Sequence, residues 1–251
     1  MTKTIGLIAV RMKSSRLKKK ALLDLGGKPL IVRLYDRVRQ SKRMDDVVLC
    51  TSDDSQDNPL ETIAVENNIP FIRGDKDDVL KRFLNCLGTH PAKNIVRITG
   101  DNPLCDPEVI DLLIESHEKK NADYSRMDGV PMGVTAEVIS VNALKYIYKM
   151  AEDTKSSEYM TWYFTKNDAF QLNVLQAPQE LNRPALRLTV DYQEDIELLL
   201  KIYEKFNFDN SPPALNEIID FLDANPELAK TNLNVKEQPV PPEINTRLKQ
   251  S

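Results

Sequence analysis

The chain contains 251 residues, of which 34 are Lys or Arg and 38 are Asp or Glu, and 41% of its residues are apolar. Length and composition are those of one folded domain with a substantial core. The net charge of -4 argues against general binding to nucleic acids or membrane surfaces, since both require a clustered positive field. No apolar run is long enough for a membrane span or a signal peptide, so we expect a cytoplasmic protein.

The cysteines and histidines are too scattered to form a known metal or catalytic motif. Cys50, Cys86 and Cys105 lack the paired spacing of a zinc site, and His90 and His117 have no paired ligand pattern beside them. The sequence therefore excludes a structural zinc site and a catalytic triad that depends on histidine.

Short apolar runs alternate with amphipathic segments in the first half of the chain. This alternation predicts an α/β fold in which helices connect the strands of a parallel sheet. The predicted strands are 4–10, 46–51, 70–73 and 94–99, and the predicted helices are 28–41, 59–67, 77–88 and 107–119.

The pattern changes after residue 122, where we expect an inserted subdomain or dimerisation arm at about 122–178. Aromatic residues, which are enriched in interface cores, are concentrated there, although they could instead cover the sheet within one subunit. They are Tyr146, Tyr148, Tyr159, Trp162, Tyr163 and Phe164. The predicted strands of this segment are 133–139 and 170–175, and its predicted helices are 141–150 and 156–165.

A further core strand at 186–190 and helices at 194–206 and 214–225 are expected to complete one domain, residues 1–232. Residues 233–251 contain several prolines, few large apolar residues and no periodicity. This composition predicts an extended or disordered tail.

Six basic residues directly follow the first predicted strand. They are Arg11, Lys13, Arg16, Lys18, Lys19 and Lys20. A loop at the carboxyl end of a strand, with the small residues Ser14 and Ser15 between its cations, can surround a polyphosphate with N–H groups and positive side chains. A charge run is more often a solvated surface loop, but the position after an N-terminal core strand favours the anion site.

The Gly-Gly-Lys-Pro segment at 26–29 does not belong to a phosphate-binding Walker A loop. It lacks the upstream glycine and the following Ser or Thr of that motif. The segment predicts a tight turn into the helix that begins near Pro29.

Two aspartates follow predicted core strands. Gly100 and Asp101 come directly after one strand, and Asp191 comes after another. A carboxylate at the end of a strand suits a hard cation, and two of them can share one Mg²⁺ that also contacts phosphate oxygens. For Asp106 we favour a helix N-cap, and Asp191 on its own would also be interpreted as a cap.

Polar loops at 51–54 and 73–82 follow the second and third strands. Together they could form a base-and-ribose pocket at the point where the strand order reverses. Taken individually, Asp54, Asp75 and Asp77 are better explained as turn or cap residues.

The ordered set of these motifs resembles the spore-coat polysaccharide (SpsF-type) cytidylyltransferases, which are relatives of the CMP-sialate and CMP-KDO synthetases. The resemblance runs from about residue 5 to residue 227. It is carried by segments 8–22, 25–30, 50–53, 73–82, 97–107 and 187–191. The order of the segments is more specific than any one of them.

The resemblance implies a three-layer α/β/α, glycosyltransferase-A-like nucleotidyltransferase that uses CTP and Mg²⁺ and forms a homodimer. The implied catalytic residues are Arg16, Lys20 and Asp101, with Asp101 and Asp191 as metal ligands. The implied nucleotide-binding residues are Ala9, Val10, Arg11, Ser14, Thr51, Ser52, Asp53, Arg73, Gly74, Thr99 and Gly100. The implied acceptor-binding residues are Asn102, Glu137 and Glu158.

The chain departs from the family pattern at several positions. Lys13 replaces the first glycine of the basic loop, Lys18 and Lys19 replace Pro-Gly, and Tyr159 replaces a histidine. Segment 132–135 also differs from the family motif, so we expect an acceptor that differs from that of typical members.

The expected reaction transfers CMP from CTP to an acidic acceptor, a sugar acid such as a nonulosonate or a phosphate or phosphonate, in the synthesis of cell-surface glycan precursors. Two alternatives are a glycosyltransferase of the same fold and an inactive nucleotide-binding scaffold. The basic loop favours a triphosphate over a diphosphate sugar. The presence of Lys20, Asp101 and Asp191 together favours an active enzyme.

Overall fold

The computed structural model describes residues 3–13, 17, 19–235 and 244–249, and these contain a seven-stranded sheet with helices on both faces. The strands are β1 (Thr4–Ala9), β2 (Asp46–Ser52), β3 (Phe71–Gly74), β4 (Asn94–Thr99), β5 (Tyr124–Asp128), β6 (Glu137–Ser140) and β7 (Leu172–Gln176). The helices are α1 (Leu30–Val38), α2 (Asn58–Glu66), α3 (Val79–Thr89), α4 (Pro107–Lys120), α5 (Val141–Met150), α6 (Thr161–Thr165), α7 (Gln193–Lys205), α8 (Leu215–Ala224) and α9 (Pro226–Ala229).

The strand order in the sheet is β3-β2-β1-β4-β6-β5-β7. The β1–β2, β1–β4, β2–β3 and β5–β7 pairs are parallel, whereas β6 runs antiparallel to both β4 and β5. The prediction of a mostly parallel α/β fold is therefore confirmed.

Alternating side chains of the central strands divide the core between the two faces of the sheet. In β1, Ile8 packs into the core with α1, α2, α4, α7 and α8, whereas Ile5 and Leu7 pack into the core with α3, α5 and α6. Because both faces are covered, β1 is apolar along its length rather than at every second position.

The predicted strand at 186–190 is wrong. Its apolar residues Leu188 and Val190 are buried, but the segment forms only an isolated bridge between Met132 and Arg187. The Leu188 N–H donates to the Met132 carbonyl at 2.8 Å, and the Val190 N–H donates to the Asp101 carbonyl at 2.9 Å. The segment has the apolar pattern of a strand because Leu188 and Val190 are buried. Its backbone hydrogen bonds go to two different loops, so no strand forms.

The single helix predicted at 156–165 is also wrong, because it is divided in two. A 3-10 turn at Ser157–Tyr159 precedes the short helix α6. The Ser157 hydroxyl accepts a hydrogen bond from the Val79 N–H at 2.8 Å. This bond to the first residue of α3 fixes the turn against a neighbouring helix.

The predicted turn at 26–29 is confirmed. Gly26 and Gly27 have φ angles of 63° and 91°, which glycine adopts without strain, and α1 begins directly after Pro29.

Segment 122–178 contributes β5, β6 and β7 to the central sheet. Within the described ranges, no helix is both long and apolar enough to cross a bilayer.

Residues 244–249, which we call the C-terminal strap, lie against the segment that follows α5. The Glu152 N–H donates to the Arg247 carbonyl at 3.1 Å, and the Lys249 N–H donates to the Met150 carbonyl at 2.7 Å. Leu248 packs against the core on the α5 face. The strap therefore supports the chain that leads from α5 to the turn at Ser157–Tyr159.

The Leu248→Ala substitution should lower the free energy of unfolding by about 1–2 kcal/mol, because Leu248 is only partly buried and a fully buried leucine would cost more. Urea denaturation is the measurement. Arg247→Ala is the matched control, since Arg247 is exposed and its strap contact comes from its backbone carbonyl. Equal stabilities of the two variants would show that the strap does not pack in solution.

Candidate functional site

A cleft of about 380 Å³ opens at the carboxyl ends of β1 and β4. These neighbouring strands are connected to elements on opposite sides, so the cleft lies where the strand order reverses, the usual ligand position in an open α/β sheet. Among the described residues, its lining is Ala9, Val10, Arg11, Lys13, Lys20, Ala21, Val79, Arg82, Arg97, Thr99, Gly100, Asp101, Glu158 and Tyr159.

The floor of the cleft depends on a glycine. The Gly100 N–H donates to the Ala9 carbonyl at 2.9 Å, which joins the exits of β1 and β4. A Cβ atom at Gly100 would lie 2.6 Å from the Cβ of Val10, closer than carbon atoms can pack. The absence of a side chain at Gly100 therefore lets the loop that follows β1 pack against the end of β4.

Lys20 lies between the two aspartates that the sequence analysis selected. Its Nζ donates to Asp101 Oδ2 at 2.8 Å, to Asp191 Oδ1 at 3.0 Å and to the Val190 carbonyl at 3.0 Å. All three side chains are largely buried. One ammonium group therefore neutralises two carboxylates that come from distant parts of the chain.

The start of α7 fixes the position of Asp191. Asp195, which is fully buried, accepts hydrogen bonds from the Asp191 N–H at 2.8 Å and the Tyr192 N–H at 2.9 Å. Arg187 donates to both carboxylates, at 3.0 Å to Asp191 and 2.9 Å to Asp195. The N-cap of α7 is Tyr192, so the alternative interpretation of Asp191 as the cap is wrong.

Arg11 connects the segment before α3 with the turn before α6. Its Nη1 donates to the Lys76 carbonyl at 2.6 Å, and its Nη2 donates to Glu158 Oε2 at 3.0 Å. Lys76 precedes α3, while Glu158 lies in the turn before α6. The structure thus brings together Arg11 and Glu158, which are 147 positions apart in the chain.

Glu137 lies beside the cleft rather than in its lining. It pairs with Arg97 and accepts hydrogen bonds from the hydroxyls of Tyr124 and Thr161. Burial disfavours the charged carboxylate, but the Arg97 charge and these hydrogen bonds outweigh it and hold the pKa of Glu137 below its usual value. Arg97 also donates to the Glu158 carbonyl at 2.9 Å. In this structure, Glu137 therefore orients Arg97.

Thr51, Ser52 and Asp53 also lie outside the cleft lining. Thr51 and Ser52 are buried, and the Ser52 hydroxyl donates to Asp57, whose other oxygen accepts from the Met12 N–H at 2.6 Å. Asp53 is exposed. Ser52 therefore contacts the basic loop through Asp57.

Arg73 lies between the end of β2 and the start of α2, and its Nε donates to the Ser52 carbonyl at 2.9 Å. Its guanidinium pairs with Glu61 and donates to Asn58 at 2.8 Å. Gly74 and Asn102 do not line the cleft either, although Asn102 donates to Thr99 Oγ1 at 2.6 Å and Thr99 does line it. Ser14 and Arg16 lie outside the described residues.

The predicted turn and cap assignments are confirmed, with Asp77 in the turn before α3. Asp106 caps α4, Asp54 caps the short 3-10 helix that follows β2, and Asp75 accepts N–H bonds in the turn before α3. The cap of α3 is Asp78, not Asp77, because the Asp78 carboxylate accepts from the Lys81 N–H at 2.9 Å.

Sequence reasoning did not select several lining residues as site residues. They are Ala21, Val79, Arg82 and Arg97. Arg97 carried a usable signal, since it is the only charged residue in the apolar strand β4. Arg82 carried none, because one arginine on an amphipathic helix is ordinarily a solvated residue.

The cleft combines cations with two carboxylates. Lys13, Lys20, Arg11, Arg82 and Arg97 line it, whereas its acidic lining residues are Asp101 and Glu158. This arrangement can hold a multiply charged anion such as a phosphate chain. Among the described residues, no group of three or more His, Cys, Asp or Glu is placed to hold a metal ion.

Residues 5–218 match the protein-family model described as Cytidylyltransferase. The spore coat polysaccharide biosynthesis protein SpsF of Bacillus subtilis is 34% identical over 235 residues, which are 91% of this chain and 98% of that protein. The two chains therefore correspond over almost their whole lengths.

Solved structures share the fold. A cytidylyltransferase from Leptospira borgpetersenii superposes with a TM-score of 0.84 at 25% identity, covering 95% of this chain and all of that one. A CMP:2-keto-3-deoxy-manno-octonic acid synthetase complexed with CTP gives a TM-score of 0.64 at 16% identity, covering 81% of this chain and 99% of that one. The predicted nucleotidyltransferase fold is confirmed.

Proposed function

The chain belongs to the cytidylyltransferase family, and we propose that it transfers CMP from CTP to an acidic acceptor and releases pyrophosphate. The observation that carries the proposal is the cationic cleft where the strand order reverses, with Lys20 held between Asp101 and Asp191. A triphosphate accounts for the concentration of cations at this place in an otherwise acidic chain.

In the proposed reaction, an acceptor oxygen attacks the α-phosphorus of CTP in line. The new oxygen–phosphorus bond forms as the bond from the α-phosphorus to the pyrophosphate oxygen breaks, so no protein nucleophile is required. Arg11 and Lys20 hold the phosphate chain, and Lys20 stabilises the charge that develops on the departing pyrophosphate. An acidic acceptor is already deprotonated at neutral pH and needs little help from a general base.

The donor set around Lys20 Nζ fits Mg²⁺. Asp101 Oδ2, Asp191 Oδ1 and the Val190 carbonyl converge on one point, and hard oxygen ligands are those that Mg²⁺ prefers. Asp101 and Asp191 would hold the ion once Lys20 has turned toward the phosphates. A bound Mg²⁺ would neutralise phosphate charge.

The acceptor is proposed to be a sugar acid, such as a nonulosonate, or a phosphate or phosphonate, for a cell-surface glycan precursor. Arg97, Glu158 and Tyr159 line one part of the cleft, and Arg97 can receive an acidic group there. The name of the Bacillus relative, which refers to spore-coat polysaccharide synthesis, supports this substrate class.

We also propose that two copies pair through β7. This strand is an edge of the sheet, and Leu172 and Val174 are each 41% exposed. An apolar edge strand is a template for pairing with another copy. Of the aromatic residues predicted for an interface, Tyr163 and Phe164 are fully buried within the subunit, whereas Tyr146 and Tyr148 are exposed.

CTP with Mg²⁺ should raise the melting temperature of the protein more than ATP, GTP or UTP does, because a ligand that binds the folded state selectively stabilises it. Differential scanning fluorimetry with the four nucleotides is the measurement. Equal shifts with all four would contradict the cytidine assignment. Pyrophosphate release from CTP, followed over a panel of sugar acids, phosphates and phosphonates, then identifies the acceptor.

Lys20→Met should increase the affinity for Mg²⁺ in the absence of nucleotide, since the ammonium group no longer competes for Asp101 and Asp191. Isothermal titration calorimetry measures this affinity. Turnover should fall, because the phosphate chain loses a cation. In the matched variant Asp101→Asn, Mg²⁺ affinity should not rise and turnover should fall about a hundredfold. A Lys20→Met protein that binds Mg²⁺ no better than wild type would contradict this metal site.

Replacement of both Leu172 and Val174 by Lys should convert a dimer into a monomer, because like charges would face each other across the paired strands. Light scattering at micromolar concentration reports the mass. Leu112→Lys, at an exposed position on α4, is the control. A wild-type protein that is already monomeric would contradict the pairing.

A further inference from the structure

Arg82 is a buried guanidinium at the wall of the cleft. Only 1% of its surface is exposed, yet it lines the cleft. Within the described residues it forms no salt bridge. Its Nη1 donates to the Asp75 carbonyl at 2.6 Å and to the Lys76 carbonyl at 3.2 Å, whereas its Nε is buried without a hydrogen-bond partner.

Arg11 meets Arg82 at a single oxygen. The Lys76 carbonyl that accepts from Arg82 also accepts from Arg11 at 2.6 Å. Burial, and to a smaller degree the charge of Arg11, lowers the pKa of Arg82, while the more distant charges of Asp57 and Asp78 oppose this shift. Arg11 has Glu158 at 3.0 Å and Asp77 at 3.7 Å, whereas Arg82 has no ion pair among the described residues.

A purely structural role explains only part of the environment of Arg82. Its Nη1 fixes the turn at Asp75 and Lys76, but this bond requires one neutral donor and not a buried positive charge. Arg37 provides the comparison, because it is also buried and also has an unpartnered Nε, yet it pairs with the buried carboxylate of Asp106. Arg82 lacks such a carboxylate.

We propose that Arg82 is a phosphate-binding residue that acts with Arg11 on the α3 wall of the cleft. Nη1 donates within the protein and Nε is buried without a partner, which leaves Nη2 to donate to a phosphate oxygen. The inference rests on the proposed function only in naming the source of that phosphate, which is the triphosphate chain of CTP. A planar guanidinium can bind two oxygens of such a chain, which a lysine cannot do.

The test measures the affinity for inorganic tripolyphosphate by isothermal titration calorimetry, with the full chain and without nucleotide. Arg82→Met and Arg82→Lys should each weaken this affinity by about tenfold or more, the effect of one charge-assisted pair. Neither should change the weak binding of cytidine, which has no phosphate. The control Arg37→Lys should keep the tripolyphosphate affinity of the wild type.

Stability separates a binding role from a structural one. Without ligand, Arg82→Met should melt at or above the temperature of the wild type, because it removes a buried charge that has no salt bridge among the described residues. Arg37→Lys should melt lower, since it disturbs a buried ion pair. If Arg82→Met does not fold, Arg82→Lys decides. Tripolyphosphate affinities within twofold of the wild type in the folded Arg82 variants would overturn the proposal.

Failure of this inference and failure of the proposed function give different results. If all four nucleoside triphosphates bind equally but the Arg82 variants lose tripolyphosphate, the cytidine assignment fails and the role of Arg82 remains. If CTP is preferred and the Arg82 variants bind tripolyphosphate normally, only the role of Arg82 fails.

Discussion

The contact of Lys20 with Asp101 and Asp191 is the interaction on which the arrangement of the cleft depends. It joins the loop after β1, the exit of β4 and the extended segment before α7, which are far apart in the chain. Asp195 and Arg187 fix Asp191 from behind, and Gly100 lets the exits of β1 and β4 meet. Because the ammonium lies among largely buried oxygens, its loss would leave two carboxylates without a neutralising charge.

The same polar groups that bind one another here are those with which a phosphate ligand would exchange contacts. Lys20 is held by two carboxylates, and Arg11 is held by Glu158 and a carbonyl. Such internal pairing keeps the side chains ordered, which lowers the entropic cost of binding. It also lowers the affinity for any anion that must break a salt bridge. Arg82 has no salt bridge among the described residues, so an anion that binds it does not have to break one.

The α/β fold could be predicted from the sequence because the central strands are buried on both faces of the sheet. Each of them is therefore a continuous apolar run, and amphipathic helices separate these runs. Asp101 and Asp191 were found because each follows a buried segment, even though the segment before Asp191 is not a strand. Arg82 was missed, since nothing local distinguishes a buried arginine from an exposed one on a helix. Arg73 was assigned to the nucleoside, and its ion pair with Glu61 on α2 was not predicted. Long-range partners of this kind are absent from local patterns.

The C-terminal strap has a consequence for synthesis of the protein on the ribosome. Residues 244–249 support the segment between α5 and the turn that carries Glu158, yet they follow that segment in the chain. Domains fold from the N-terminus as they emerge, so the sheet can form while the strap is still inside the exit tunnel. The wall around Glu158 is therefore completed only after residues 244–249 have left the tunnel.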